Sequence, residues 1–367
     1  MSDRIERMQE EVRDAGADLL VLNPGSSLTY LTGHSFDSHE RLFLLLVPAQ
    51  GSPSAIVPLL EQDNWNHAVP SVTDIHMWDD KDGPQAAARA AFAPFADAKR
   101  IAIEPLGMRY MEVAILQGLL AGAALESAES MIQALRLAKS AEEAALMRRA
   151  CEISEETLEE TLAEVRVGMT EKQIAAQLCA RMLGKGGEGI SFGPIVLGGP
   201  KSALPHGVPD ERPVGDGEFL LIDFGTSWKG YHSDITRTFV VGSEPGDRMR
   251  DVYEAVLAGN RAGCAATRAG VSAHDVHMAA AAPLQDPKYG EFFKHRTGHG
   301  LGLDIHEPPS VMEGNHEPLV AGAVITVEPG LYLEGWGGVR IEDDLWVRPD
   351  GADSLTTFAR DLRVVGV

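Results

Sequence analysis

The chain is poor in cysteine, in aromatic residues and in positive charge. Of 367 residues, three are cysteine (Cys151, Cys179 and Cys264) and 6% are aromatic. Three scattered thiols are too few for a disulfide framework or an all-cysteine zinc site. Lysine and arginine number 32 against 54 aspartate and glutamate, which leaves a formal charge of −22. Nucleic acid and anionic membrane surfaces repel such a charge, so neither is expected as a partner, although a local basic pocket is not excluded. Long apolar runs are missing too. The longest, residues 42–47, is far short of the ~20 residues that span a bilayer. The opening segment MSDRIERMQEEVRDAG is charged and amphipathic and has no apolar signal core. A soluble, cytoplasmic protein is the expectation.

What remains is ordinary globular composition, 44% hydrophobic and 23% charged. At ~100–200 residues per domain, the length predicts two domains. In the N-terminal third, Ile5, Met8 and Val12 stand at helical spacing before Gly16. Short apolar runs at 19–22, 41–47, 54–57 and 100–104 read as buried strands, and an alanine-rich stretch at 85–92 as a helix. This alternation predicts an α/β domain, a mixed sheet with flanking helices, over residues 1–130. From about Ile132 the pattern becomes helical. Ser140-Ala-Glu-Glu143 and Thr170-Glu-Lys-Gln173 are capping boxes that open helices to about Val165 and Met182. The domain boundary is expected near 127–135, with an α+β domain over 131–367. Gly168-Met-Thr170 is echoed by Gly270-Val-Ser272, each followed by an acid or amide and a β-branched residue. The echo suggests a duplicated unit of helix pair and strands.

The chemistry-bearing residues fall in this second part. EFLLIDF (218–224) reads as a strand carrying Asp223, and SDITRTFVV (233–241) as its return, carrying Asp234. Two carboxylates on facing strands inside apolar runs repel each other unless a cation lies between them. In HRTGHGLGLDIHEPP (295–309), three of the twelve histidines, His295, His299 and His306, alternate with glycines that permit close approach. The spacing is not the helical HExxH of zinc proteases, because glutamate is missing from the second position and Gly298 disfavours a helix. Two further strands supply Glu328, at the end of 323–327, and Glu342, within 338–347, with Arg340 on the same face. Four strand-borne acids and one glycine-flanked histidine suit two hard or borderline divalent ions. Mn²⁺ fits best and Co²⁺ or Zn²⁺ are admissible. Two such ions share a hydroxide at neutral pH and polarise the carbonyl that it attacks.

In that order and setting, Asp223, Asp234, His299, Glu328 and Glu342 resemble the metal ligands of the creatinase/methionine-aminopeptidase, or "pita-bread", family of metallopeptidases. The stretches SALPHG, DFGTSWKGYHSDITRTF, HRTGHGLGLDIHEPP, VEPGLY and GGVRIEDD carry the resemblance over most of 190–347, and it is nearest to the Xaa-Pro peptidases, prolidase and aminopeptidase P. The N-terminal third is similar to the family's accessory domain in outline. The resemblance implies that Asp223 chelates the first ion, that Asp234 and Glu342 bridge the pair, and that His299 and Glu328 complete the second. Glu328 would also relay protons. His206, in the PHG turn, and His306 would flank the scissile bond, while His295 and Arg340 would shape the substrate pocket. Arg296 departs from the pattern, standing where many members have glycine.

The expected activity is therefore cleavage of the bond before proline, most simply in Xaa-Pro dipeptides. An Xaa-Pro bond offers no N–H and a fixed φ, so peptidases that bind extended strands handle it poorly. A dipeptide places a carboxylate directly after proline, and Arg340 or the loop residues His34, His39 and Arg41 are candidates to cap it. Alternatives are an aminopeptidase P acting on longer peptides, a methionine aminopeptidase, which needs no accessory domain, and a catalytically dead peptide-binding module, which would have lost ligands. Asp223-Phe-Gly is not a kinase signature, because no HRD or glycine-rich loop accompanies it. Homodimerisation is implied by the resemblance alone.

Overall fold

The computed structural model describes residues 2–285 and 288–367. It divides into two compact units, Met1–Arg136 and Leu137–Val367.

The first unit is built on a six-stranded mixed sheet. Its spatial order is Asp74–Trp78, Ser54–Pro58, Leu44–Pro48, Leu19–Leu22, Arg100–Ile103, Ala124–Ser127. The Leu19–Leu22 strand is fully buried, antiparallel to Leu44–Pro48 and parallel to Arg100–Ile103. An unbroken apolar run is what a central strand covered on both faces requires. Ala87, Ala88, Ala91 and Phe92 pack one helical face onto Leu19, Val21, Leu44, Leu46 and Ile56. The α/β architecture expected for this part of the chain is present.

The second unit repeats one theme twice. Helices Ala141–Glu164 and Glu171–Gly184 lie beside a sheet ordered Val364–Val365, Ile235–Val241, Phe219–Phe224, Ile195–Gly198. Helices Asp247–Ala266 and Ala273–Ala281 accompany a second sheet, ordered Glu307–Val311, Gly298–Gly300, Val324–Val327, Asp343–Arg348, Gly351–Ser354. The correspondence extends to single hydrogen bonds. The Gly168 N–H donates to Val214 O and Val214 N–H to Met169 O; the Gly270 N–H donates to Leu319 O and Leu319 N–H to Val271 O. The caps Thr170 and Ser272 form bridges with Pro213 and Pro318. The duplication suggested by the Gly168/Gly270 echo is thus a duplication of backbone pairing. Each half has its own core. Leu158, Leu178, Leu220, Ile222 and Phe239 meet in the first, and Val276, Val311, Ile325, Val327 and Leu345 in the second.

One sequence expectation is corrected. Residues 338–347 do not form a single strand: Gly337–Arg340 pairs with Gly330–Leu333, and Asp343–Arg348 pairs with Val324–Val327. At the change of partner, the Glu342 N–H donates to Thr236 O at 3.1 Å. This cross-link between halves takes Glu342 out of both ladders. Among the described residues, no helix is long and apolar enough to cross a membrane.

Candidate metal centre and its cavity

Each half contributes an antiparallel strand pair with two acids at the end where the connection between its strands begins. In the first, Asp223 faces Thr236 and Phe224 faces Ile235, so Asp234 lies just beyond the last pair. In the second, the last pair is Val327 with Asp343, and Glu328 and Glu342 come next on either side. The sharp departure after Asp223 requires glycine. A Cβ on Gly225 would lie 1.8 Å from the Ser233 carbonyl oxygen. Glycine is equally required around His299, where a Cβ on Gly298 would meet Thr326 O at 1.9 Å and one on Gly300 would meet Pro308 O at 2.1 Å. The glycines of this segment allow three strands to close around one imidazole.

The four acids and His299 line one cavity of about 330 Å³, together with Phe192, Ile195, Pro205, His206, His295, Arg296, Ile305, His306 and Arg340. Asp234, His299 and Glu342 each offer a ligand atom within 4.8 Å of the others. His299 Nε2 lies 3.7 Å from Asp234 Oδ2 and 3.6 Å from Glu328 Oε1. Its Nδ1 is 3.0 Å from Gly300 O, and a carbonyl only accepts, so the proton resides on Nδ1 and Nε2 faces the acids as a lone pair. Burial, aided by the neighbouring His306, pushes the His299 pKa down to about 3, which keeps it neutral.

The acids are held at electrostatic cost. Burial, then repulsion by Glu342, Asp223, Asp344 and Glu328, pushes the Asp234 carboxyl well above its ordinary range. Burial does the same to Glu342, reinforced by Glu328 and Asp223, and raises Glu328 to about 8. The Asp223 and Asp234 Oδ1 atoms are buried without a hydrogen-bond partner among the described residues. Orphaned lone pairs, crowded carboxylates and a lone-pair imidazole are the donor set of a divalent cation, so these residues fit a metal.

Around this cluster the remaining candidates take distinct positions. His206 and His306 stand exposed at the cavity wall, with the His306 ring 4.2 Å from that of His299. His295 Nδ1 donates to Arg296 O at 2.6 Å, so Nε2 accepts from Tyr332 Oη at 2.7 Å. Arg340 in turn donates to Tyr332 Oη at 2.8 Å, to Thr236 Oγ1 at 3.1 Å and to Asp223 Oδ2 at 2.5 Å. In the first unit, the Arg41 guanidinium is already paired with Asp80, at 2.9 and 2.8 Å, and with Glu40 at 3.0 Å. His34 and His39 line a separate cavity of that unit with Asp37, Glu61, Asn64 and His67.

Several neighbours of the cluster escaped the sequence reading. Tyr332 links His295 to Arg340, but a tyrosine in an apolar strand reads as core. Asp344 is buried behind Asp234, accepting from its N–H at 3.0 Å and from the Cys151 thiol at 3.3 Å. Its place in the run Glu-Asp-Asp was the available signal. Phe192, Ile195 and Ile305, the apolar wall, carry no motif.

The geometry places a donor set that fits a metal on a duplicated α+β scaffold, and comparison with known proteins supplies the class. Residues 145–349 match the model of metallopeptidase family M24, and residues 4–138 match the creatinase/prolidase N-terminal domain. The chain belongs to metallopeptidase family M24, and its second unit has that family's pita-bread fold. It is 33% identical to the putative dipeptidase YkvY of Bacillus subtilis, covering 99% of this chain and 100% of that protein. It is 31% identical to the Xaa-Pro dipeptidase of Lactobacillus helveticus, covering 99% of each. A prolidase from Thermococcus sibiricus superposes with a TM-score of 0.93 at 31% identity, covering 99% of this chain and 98% of that one.

Proposed function

We propose that the chain is an Xaa-Pro dipeptidase that uses two divalent metal ions. The observation that carries this reading is the convergence of three buried acids, Asp223, Asp234 and Glu342, and the half-buried Glu328 with the lone pair of His299 in one small cavity. Asp223 would hold one ion, Asp234 and Glu342 both, and His299 and Glu328 the other. Mn²⁺ suits a set dominated by carboxylate oxygen, with Co²⁺ or Zn²⁺ as substitutes. When bound, the ions polarise the scissile carbonyl and make water a nucleophile at neutral pH.

The chain's own residues supply the rest. Glu328, whose carboxylate lies 3.6 Å from His299 Nε2 at the cavity wall, would take a proton and return it. His306 and His206, both at the cavity wall, would donate to the developing oxyanion or to the leaving proline nitrogen. His295, Tyr332 and Arg340 form a fixed hydrogen-bonded wall that orients the pyrrolidine. A cavity of about 330 Å³ is at the small end of ligand sites, which run from roughly 300 to 1,000 Å³, and this favours dipeptides over long peptides. Residues 1–130 would act as accessory domain and 131–367 as catalytic domain, in a cytoplasmic homodimer.

The test is hydrolysis of Xaa-Pro dipeptides and Xaa-Pro-Yaa tripeptides after chelation, then with Mn²⁺, Co²⁺ or Zn²⁺ restored. Dipeptides are expected to be cleaved fastest, and only with an ion present. Faster cleavage of tripeptides would establish an aminopeptidase P instead, and no cleavage with any ion would leave a peptide-binding module.

A further inference from the structure

We propose that Arg296 is the residue that grips the free carboxylate of the substrate and so makes the site selective for dipeptides. The inference rests on the Xaa-Pro reading and deepens it.

The carboxylate of an Xaa-Pro dipeptide lies on the residue next to the attacked carbonyl, and consecutive Cα atoms are only ~3.8 Å apart. The group that binds it must therefore belong to the same cavity as the metal ligands. Two residues of that cavity wall are positively charged at every physiological pH, Arg296 and Arg340. Arg340 is committed. Its side chain is buried and spends four of its five N–H groups, on Thr236 Oγ1, Tyr332 Oη, Pro205 O and Asp223 Oδ2. Redirecting it would orphan buried acceptors.

Arg296 is in the opposite state. It is half-buried, and one of its terminal nitrogens donates to Ser310 Oγ at 3.0 Å. No carboxylate lies within ion-pair distance of it among the described residues. The serine contact fixes the guanidinium against the wall and leaves its remaining N–H groups for an incoming anion. It lines the same cavity as His306, His299 and Glu328, which places it beside the reacting region. A planar fork held by one neutral hydrogen bond is the arrangement that receives a carboxylate with two parallel bonds.

The experiment compares Ala-Pro, Ala-Pro-amide and Ala-Pro-Ala as substrates of the Mn²⁺-loaded protein and of its Arg296→Gln and Arg296→Lys variants. Loss of charge-assisted hydrogen bonds to a carboxylate predicts about a 10- to 100-fold fall in kcat/KM for Ala-Pro in Arg296→Gln, carried mainly in KM. The amide and the tripeptide change less than about threefold, and Arg296→Lys recovers part of the loss. L-proline binding, followed by calorimetry on the metal-free protein, weakens in Arg296→Gln while L-prolinamide binding does not. Equal loss on all three substrates, or no loss on Ala-Pro, would overturn the assignment and leave the peptidase reading intact. A wild-type protein that cleaves no Xaa-Pro substrate would remove the reading and the assignment with it.

Discussion

Lys139 and Glu307 show how much of the site depends on single side chains outside it. Their side chains are 3% and 6% exposed, and Nζ lies 3.0 Å from Oε2. Glu307 follows His306 directly and also accepts the Asp304 N–H at 3.0 Å, so it holds both flanks of the loop that presents His306. Lys139→Met would remove the cation that faces that buried carboxylate at 3.0 Å, which costs about 3–5 kcal/mol. In a unit of this size, each kcal/mol lowers Tm by about 2–4 °C, so a drop of roughly 6–20 °C is expected in a thermal scan. The double variant Lys139→Met/Glu307→Leu should be markedly less impaired than Lys139→Met, because no charge is then stranded. If the single and double variants melt together, the pair is not the anchor. That Asp223, Asp234, His299, Glu328 and Glu342 share one cavity was legible in the sequence as a candidate, because carboxylates inside apolar strands, and a histidine between glycines, violate local pattern. Lys139 was not. An isolated lysine beside a helix cap reads as solvated, and its partner lies 168 positions away.

At the scale of elements, hydrogen-bonding chemistry at helix starts was the most readable signal. Ser140 Oγ accepts from Glu143 N–H while Glu143 Oε2 accepts from Ser140 N–H, and Thr170 with Gln173 does the same. Ser272 accepts from the Asp275 N–H at 3.0 Å. Thr170→Ala and Ser272→Ala each remove a cap at the same point of the two repeats, at about 1 kcal/mol apiece. The two caps share no hydrogen-bond partner, so the costs should add, giving a Tm shift of the double variant equal to the sum of the single shifts. A double variant that falls well short of that sum would mean the two halves are coupled at their helix starts. The break at Ile341 and Glu342, by contrast, was invisible locally. A continuous β-favouring run continues as one strand unless tertiary partners change beneath it, and here the partner changes from Gly330–Leu333 to Val324–Val327. That exchange brings Glu342 to the cluster, so the sequence offered Glu342 as a candidate but not how it is presented.

Over the whole molecule, a net charge of −22 and a buried acid cluster make stability a function of pH and metal together. Burial raises Glu328 from an ordinary 4.5 to about 8, and Asp234 and Glu342 move in the same direction. A carboxyl whose folded pKa lies above its unfolded pKa binds its proton more tightly in the folded state. Its stabilising contribution is complete below about 4.5 and is lost as pH rises through about 8. The metal-free protein should therefore melt at progressively lower temperature from pH 6 to pH 9, by at least about 2–4 °C for each kcal/mol lost. A divalent ion reverses the preference, because it binds the ionised carboxylates and competes with the protons. Saturating Mn²⁺ should raise Tm least at pH 6 and most at pH 9, and the gap between the metal-loaded and chelated curves should widen steadily over that range. Fixed, high ionic strength separates this effect from general repulsion among surface acids, which salt screens and a buried cluster does not feel. Parallel curves, with the same metal-dependent gain at every pH, would mean that the four acids do not meet the ion as a group.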